Sequence, residues 1–286
     1  MLLRAFAKIN LSLQVLGRRD DGYHEVRTVL QTIDWFDEID IELADRFEFS
    51  VQGMPQESNV ESNLVVRAVH AFERVSGVAA KVRIRLKKNI PIGAGLGGGS
   101  ADAAVTFMGL QRLHRRTLDP ENVVLELRGL GSDVTFFAVG GLAEGSGRGD
   151  EVVPLHDSVD YWLVLVDPGV SIATAEAYSW LTVSDKFNSI EGFRAQCLSD
   201  CGAGPWVNDF ELPVFKRYPE LAKIKDELIY LGAYRAALSG SGSTVFGQFH
   251  TEADAIRAGS ALARRFRVKV TKPLERLEYF QRMMGE

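Results

Sequence analysis

Cysteine is almost missing from this chain, with Cys197 and Cys201 its only two among 286 residues. So small a supply excludes a disulfide scaffold. The spacing places both thiols on one helical face, read as buried or idle groups of a reduced, cytoplasmic protein. No apolar run reaches the ~18–20 residues of a membrane span, and the N-terminus lacks a leader pattern, so no membrane role is expected. Positive charge is not in surplus either. Lys and Arg number 33 against 38 Asp and Glu, a formal net charge of −5, which argues against a nucleic-acid partner. Internal repeats and low-complexity tracts are also lacking. What remains, at 46% hydrophobic and 25% charged residues, has the balance of a globular chain long enough for two domains or one large one.

The strand and helix signals are mixed. Ala5, Ala7, Ile9, Leu11, Leu13 and Val15 share one face of a first strand. Lys8, Asn10, Ser12 and Gln14 share the other, which by alternation alone reads as solvated. Strands are predicted near 27–34, 38–43 and 47–52, and a helix near 62–76 from the spacing of Leu64, Val65, Ala68, Val69, Phe72 and Val75. Helices follow near 100–114 and 120–129, and glycine-rich punctuation at 140–141 and 145–149 closes this half. The second half opens on the apolar strand 161–166. Helices are expected near 173–182, 189–198, 219–231 and 253–266, with strands near 234–238, 244–249 and 267–271. Antiparallel strand signals among helices predict an α+β fold, divided into domains 1–155 and 156–286.

Residues Pro91 to Ala104 hold the strongest chemical signal, with five glycines in the seven positions 93–99. Glycine lets backbone N–H groups approach a ligand unobstructed, and Ser100 onward reads as a helix start, whose dipole favours an anion. A nucleotide phosphate is the expected ligand. A P-loop requires a lysine where Gly99 stands. A dinucleotide fingerprint is met by Gly93, Gly95 and Gly98, but it needs a buried parallel strand before it. Residues 81–87 alternate basic and apolar instead. The protein-kinase signatures HRD and DFG do not occur.

The stretch 91–104 resembles the second motif of the GHMP kinases, P-x-G-x-G-L-G-S/G-S-A. Residues 5–11 resemble their first motif and 239–246 their third, in the same order. The resemblance implies an ATP-dependent kinase with a two-domain fold, ribosomal-protein-S5-like at the N-terminus and ferredoxin-like at the C-terminus, and the site between them. It implies that Pro91, Ile92, Gly93, Ala94, Gly95, Leu96, Gly97, Gly98, Gly99, Ser100 and Ala101 bind ATP, with Mg²⁺ as its companion and Ser100 as the candidate metal contact. Lys8 and Asp133 would be catalytic, although alone they read as a solvated lysine and a helix N-cap. Whether Asp133 removes or only orients the hydroxyl proton stays open.

Residues 21–25 and 131–137 are similar to members whose acceptor, a small molecule, carries cytidine diphosphate. That similarity implies substrate contacts from Asn10, Tyr23, His24, Thr174 and Tyr178, and a third glycine motif of Gly240, Ser241 and Gly242. Tyr23 and Tyr178 would flank the base and His24 would bond its edge, although Tyr23 read blindly is a packing residue. Tyr178 stands where phenylalanine is usual, and Ser132, Thr135 and Ser243 depart from the family's alanine and prolines without removing a functional group. A mevalonate or homoserine kinase would have no base to recognise, and an inactive nucleotide- or RNA-binding module would not need the Lys8–Asp133 pair.

Overall fold

A computed structural model describes residues 1–53, 60–157, 159–181 and 207–285. Strands β1 (Leu2–Arg18) and β2 (His24–Leu43) form a long antiparallel pair. The strands expected at 27–34 and 38–43 are thus one: no glycine or proline interrupts 34–37, and the buried Asp37 is neutralised by Lys88. Beyond β2, β3 (Glu48–Gln52) runs parallel to β4 (Val82–Lys87), which pairs with residues 38–43 of β2. Next to residues 28–31 of β2 lies β5 (Leu142–Ser146), followed by β6 (Glu151–Pro154). Helices α1 (Leu64–Ser76), α2 (Gly98–Leu113), α3 (Pro120–Leu130) and α4 (Val134–Phe137) bury one face of this sheet around Phe72, Phe107, Phe136 and Phe137.

The second sheet is antiparallel, built of β7 (Trp162–Asp167), β8 (Arg235–Leu238), β9 (Val245–Phe249) and β10 (Arg267–Thr271) in the order β10-β7-β9-β8. With it go α5 (Thr174–Ser179), α6 (Glu211–Arg217), α7 (Pro219–Tyr230) and α8 (Glu252–Leu262). Alternation decides what each face covers. Val164, Val166, Leu238 and Val245 pack on the helices through Leu221, Ile224, Leu228 and Leu262. Leu163, Leu165, Ala237 and Phe246 pack the other way, onto Ala7, Ile9, Leu11, Val29, Ile33 and Trp35 of the first sheet.

The reading of β1 is corrected on both of its faces. Its polar side is not solvated: Lys8, Asn10 and Ser12 are only 3%, 3% and 2% exposed. Nor does its apolar side hold one face throughout. Register shifts after Phe6, Asn10 and Val15 break the alternation, so Leu3, Ala5 and Phe6 enter the first core while Ala7, Ile9 and Leu11 enter the junction.

Strands β5 and β6, set among glycines that read as punctuation, and helices α4 and α6 were not legible as elements. The helix expected at 189–198 and both cysteines lie outside the described residues. No helix among the described residues is long and apolar enough to cross a membrane. The last helix, α9 (Arg276–Met283), falls in the second half of the chain yet returns to the first core. Its Tyr279 is fully buried and donates a hydrogen bond to Phe137 O at 2.7 Å. Removing only that hydroxyl, in Tyr279→Phe, is expected to cost about 1–3 kcal/mol by stranding a buried carbonyl. Tyr279→Ala is expected to cost about 3–5 kcal/mol through the cavity. Urea unfolding of both variants checks the order; equal losses would mean that the ring's packing contributes nothing beyond its hydroxyl.

Candidate active site

The glycine loop enters α2 through alternating left-handed residues, with φ of 66°, 75° and 68° at Gly93, Gly95 and Gly97. All three are closely approached, Gly93 by Ser171 Oγ, 2.1 Å from where a Cβ would stand. A Cβ on Gly95 would lie 2.0 Å from Ser239 O, and one on Gly97 would lie 3.0 Å from both Lys8 Cγ and Phe137 Cζ. The loop is therefore gripped between β1 and the third glycine motif. Lys8 N–H donates to Leu96 O at 3.0 Å, Thr244 N–H to Ala94 O at 3.1 Å, and Ser239 Oγ to Gly95 O at 2.9 Å. Gly97 is the N-cap of α2 and offers no capping side chain. Its first-turn residues line a cleft of about 530 Å³, where their N–H groups suit a phosphate.

Lys8 and Asp133 meet in this cleft, with Nζ 3.3 Å from Oδ2. The ammonium is buried and the carboxylate side chain 36% exposed, so the carboxylate is open to a ligand while the ammonium is anchored. Asp133 does stand at the N-cap position of α4, but its side chain makes no capping bond. Lys8 Nζ also donates to Asn10 Oδ1, whose Nδ2 donates to Thr28 Oγ1 at 2.7 Å. Thr28 in turn donates to Ser12 O at 2.7 Å. This chain of bonds gives the buried polar groups of Lys8, Asn10 and Thr28 their partners.

Of the other anticipated residues, Pro91 through Ser100 all line the cleft, as do Asn10, Thr174, Tyr178, Gly240 and Ser241. Ala101 lies buried beneath the loop, and Gly242 faces Leu238 and Ile172. Tyr23 and His24 lie beside the cleft without lining it. His24 stacks on Tyr178 at 4.7 Å between ring centroids and 19° between planes, which links it to the cleft wall. Tyr23 is 53% exposed and is covered on one face by the Arg148 guanidinium, 4.8 Å from its centroid. Arg148, which also pairs with Asp150 at 2.8 Å, sits in a glycine-rich run that by sequence reads as mere punctuation.

A second lysine gives no sequence signal, because it follows a strand whose alternating basic residues read as a half-exposed surface. Lys88 lines the cleft behind the loop, its Nζ bound to Asp37 Oδ2 and, at 2.6 Å, to Asp102 Oδ2. Burial works against its charge, but the two carboxylates outweigh burial and raise its pKa. Burial pushes the Asp102 carboxyl up to about 8, against the pull of Lys88. Asp102 Oδ1 finds no hydrogen-bond partner among the described residues.

This arrangement has relatives. Residues 63–141 match the model of the GHMP kinases N terminal domain, and 190–268 that of the GHMP kinases C terminal domain. The chain belongs to the GHMP kinase family. It is a small-molecule kinase that takes ATP as co-substrate, with the α+β fold of that family. It is 40% identical over 264 residues to the 4-diphosphocytidyl-2-C-methyl-D-erythritol kinase of Solibacter usitatus, covering 90% of this chain and 83% of the relative. To the kinase of the same name from Thermodesulfovibrio yellowstonii it is 39% identical over 265 residues, or 89% and 92% of the two chains. A crystal structure of 4-(cytidine 5'-diphospho)-2C-methyl-D-erythritol kinase superposes with a TM-score of 0.82 at 33% identity, over 96% of this chain and 99% of that one. The homoserine kinase of Cytophaga hutchinsonii shares the fold alone, at a TM-score of 0.70 and 18% identity over 96% and 94% of the chains.

The Asp102 carboxyl makes a pH signature. Its pKa rises from 3.8 to about 8 on folding, so between those values the folded protein binds the extra proton. Stability from this group is therefore lost as pH rises through that window. Asp102→Asn cannot titrate, and its melting temperature is expected to fall less than that of the wild type from mildly acidic to mildly alkaline pH. Parallel curves would reject the raised pKa.

Proposed function

We propose that the cleft transfers the γ-phosphoryl group of ATP to the 2-hydroxyl of 4-diphosphocytidyl-2-C-methyl-D-erythritol, a step of non-mevalonate isoprenoid precursor synthesis. The observation that carries this reading is the Lys8–Asp133 pair, 3.3 Å apart, in the cleft that the glycine loop lines. Backbone N–H groups at the start of α2 hold the phosphates. Phosphoryl transfer asks mainly for positioning and charge stabilisation, and Lys8 supplies both beside the attacked phosphorus. The acceptor oxygen forms a bond to the γ-phosphorus as the bond to the β-phosphate oxygen breaks. Its proton passes to Asp133, or is oriented by it until the new bond is nearly made.

Mg²⁺ fits as a companion of the nucleotide. Among the described residues there is no group of three or more His, Cys, Asp or Glu side chains able to hold a metal ion. Magnesium that keeps water and phosphate oxygens as most of its ligands needs few from the protein. Ser100, in the first turn of α2, offers one hydroxyl. The ion would neutralise charge on the phosphates.

For the base we assign Tyr23 and Tyr178 as flanking rings, with Thr174 beside them. Burial, then the charge of Arg18, lowers the His24 pKa, which favours a neutral imidazole with one donor and one acceptor. That pair suits the edge of cytosine, which offers both an amino group and ring acceptors. On binding, His24 would leave its stack on Tyr178 to the base. We place the functional boundary between the ATP-binding part, 1–155, and the remainder, 156–286, with the cleft between them and the enzyme in the cytoplasm.

Consumption of ATP with the cytidylylated alcohol tests the reading directly. Asp133→Asn keeps shape but loses the carboxylate charge, and kcat is expected to fall about 10²–10⁴-fold while both substrates still bind by calorimetry. A near-normal kcat in a folded variant would leave Asp133 a positioning role only. Tyr23→Ala should weaken the cytidylylated alcohol by roughly 1–3 kcal/mol of stacking and leave ATP binding unchanged. Equal losses for the two ligands would remove Tyr23 from the base site.

A further inference from the structure

Four residues that no sequence pattern singled out touch several walls of the cleft at once. Val207, Asn208, Asp209 and Phe210 lie along β1. Leu13 N–H donates to Val207 O at 2.7 Å, and Asp209 N–H donates to Leu13 O at 3.0 Å. Ser12 Oγ donates to Val207 O at 3.1 Å, and Val15 N–H to Asp209 Oδ2 at 2.7 Å. Phe210 meets the Tyr178 ring edge-on at 4.9 Å between centroids.

The Asn208 side chain is buried and turned away from β1. Its Nδ2 donates to Leu238 O and to Gly240 O, each at 2.8 Å, while its Oδ1 accepts from Phe210 N–H at 2.9 Å. Both amide protons and the carbonyl are thereby used. The two acceptors are the end of β8 and the third glycine motif. Leu238 is held a second time, its N–H donating to Glu211 Oε1 at 3.0 Å. Gly240 in turn lies against the reacting end of β1: a Cβ there would be 3.2 Å from Asn10 Oδ1 and 3.4 Å from Lys8 Nζ. Other bonds of the segment secure it to β1, so the carboxamide is left to hold the loop.

We propose that Asn208 is a positioning residue for phosphoryl transfer, its carboxamide fixing the 239–242 loop at the height that holds the Lys8 ammonium beside Asp133. The inference rests on the reading of Lys8 and Asp133 as the reacting pair. Asparagine is the residue this role requires, because one nitrogen must give two protons to two carbonyls two residues apart. Aspartate has the same shape, but when ionised it has no proton to give and repels both carbonyl oxygens.

The test compares Asn208→Asp with Asp209→Ala. The second variant loosens the same segment from Val15 without touching the loop. In Asn208→Asp, kcat is expected to fall on the order of 10–100-fold, with KM for ATP and for the cytidylylated alcohol changed far less. The deficit relative to wild type should shrink as pH is lowered, because the introduced carboxyl regains one donor when it is protonated. Asp209→Ala should lower the melting temperature, keep kcat near wild type and show no such pH dependence. Acylation of Lys8 by an amine reagent, followed by peptide mass spectrometry, reads the loop without turnover. It should speed up in Asn208→Asp and not in Asp209→Ala.

Equal kcat losses in the two variants, a pH-independent deficit in Asn208→Asp, or unchanged Lys8 labelling would each overturn the role. If the wild type does not phosphorylate the cytidylylated alcohol, the substrate assignment fails by itself. The labelling comparison then still decides the place of Asn208.

Discussion

The rest of the molecule is arranged around one constraint: residues 5–13 of β1 are buried on both faces. The first sheet pairs it, and the second sheet packs on it through Leu163, Leu165, Ala237 and Phe246. A lysine in such a strand costs several kcal/mol unless its charge is met. Lys8 meets Asn10 and Asp133, and Asn10 meets Thr28. The same burial that makes Lys8 expensive holds its ammonium in place, as a reacting cation needs to be held. The glycine loop and the 239–242 loop, which cover that face of β1, are thus as much part of the site as the strand that supplies the residue.

The glycine loop runs between two lysines with opposite fates. Lys8 faces a carboxylate that remains partly open to the cleft. Lys88 is closed in by Asp37 and Asp102, both of them buried. Gly97 leaves space for the first and Gly98 for the second, where a Cβ would come within 3.2 Å of Lys88 Nζ. One cation is free to answer charge developing on a ligand. The other is committed to anchoring the start of α2, along which any bound phosphate must align. Asp37 adds to that anchoring by accepting Ile90 N–H at 2.8 Å, just ahead of the loop.

The fold class, the long helices and the glycine loop were legible because each rests on local periodicity or on a conformation only glycine adopts. Strands β5 and β6 were not, because the glycines around them read as loop punctuation, and α4, at four residues, is too short for a helical period. Asp37 falls in the gap between the strands expected at 27–34 and 38–43. It is buried in one continuous strand because Lys88, far along the chain, supplies the opposite charge. Asn208 gave no signal at all, because its partners are backbone carbonyls of a strand and loop about thirty residues onward. Tyr23 and His24 were visible through resemblance, yet only the tertiary structure brings them beside the cleft, with His24 lying on Tyr178.

By itself the sequence determined the chemistry on offer: an uncapped, glycine-lined helix start, a lysine, an aspartate and aromatic rings in the order of the GHMP kinases. These are properties of residue types and short spacings, which survive without a fold. Tertiary structure alone decided which groups meet. Whether Lys8 points to water or to Asp133 depends on whether the glycine loop and the 239–242 loop close over its face of β1. Alternation within one strand carries no information about what lies above it. The pairings of Lys8 with Asp133 and of Asn208 with the third glycine motif follow from those loops, and that of Lys88 with its two aspartates from α2 packing on the first sheet.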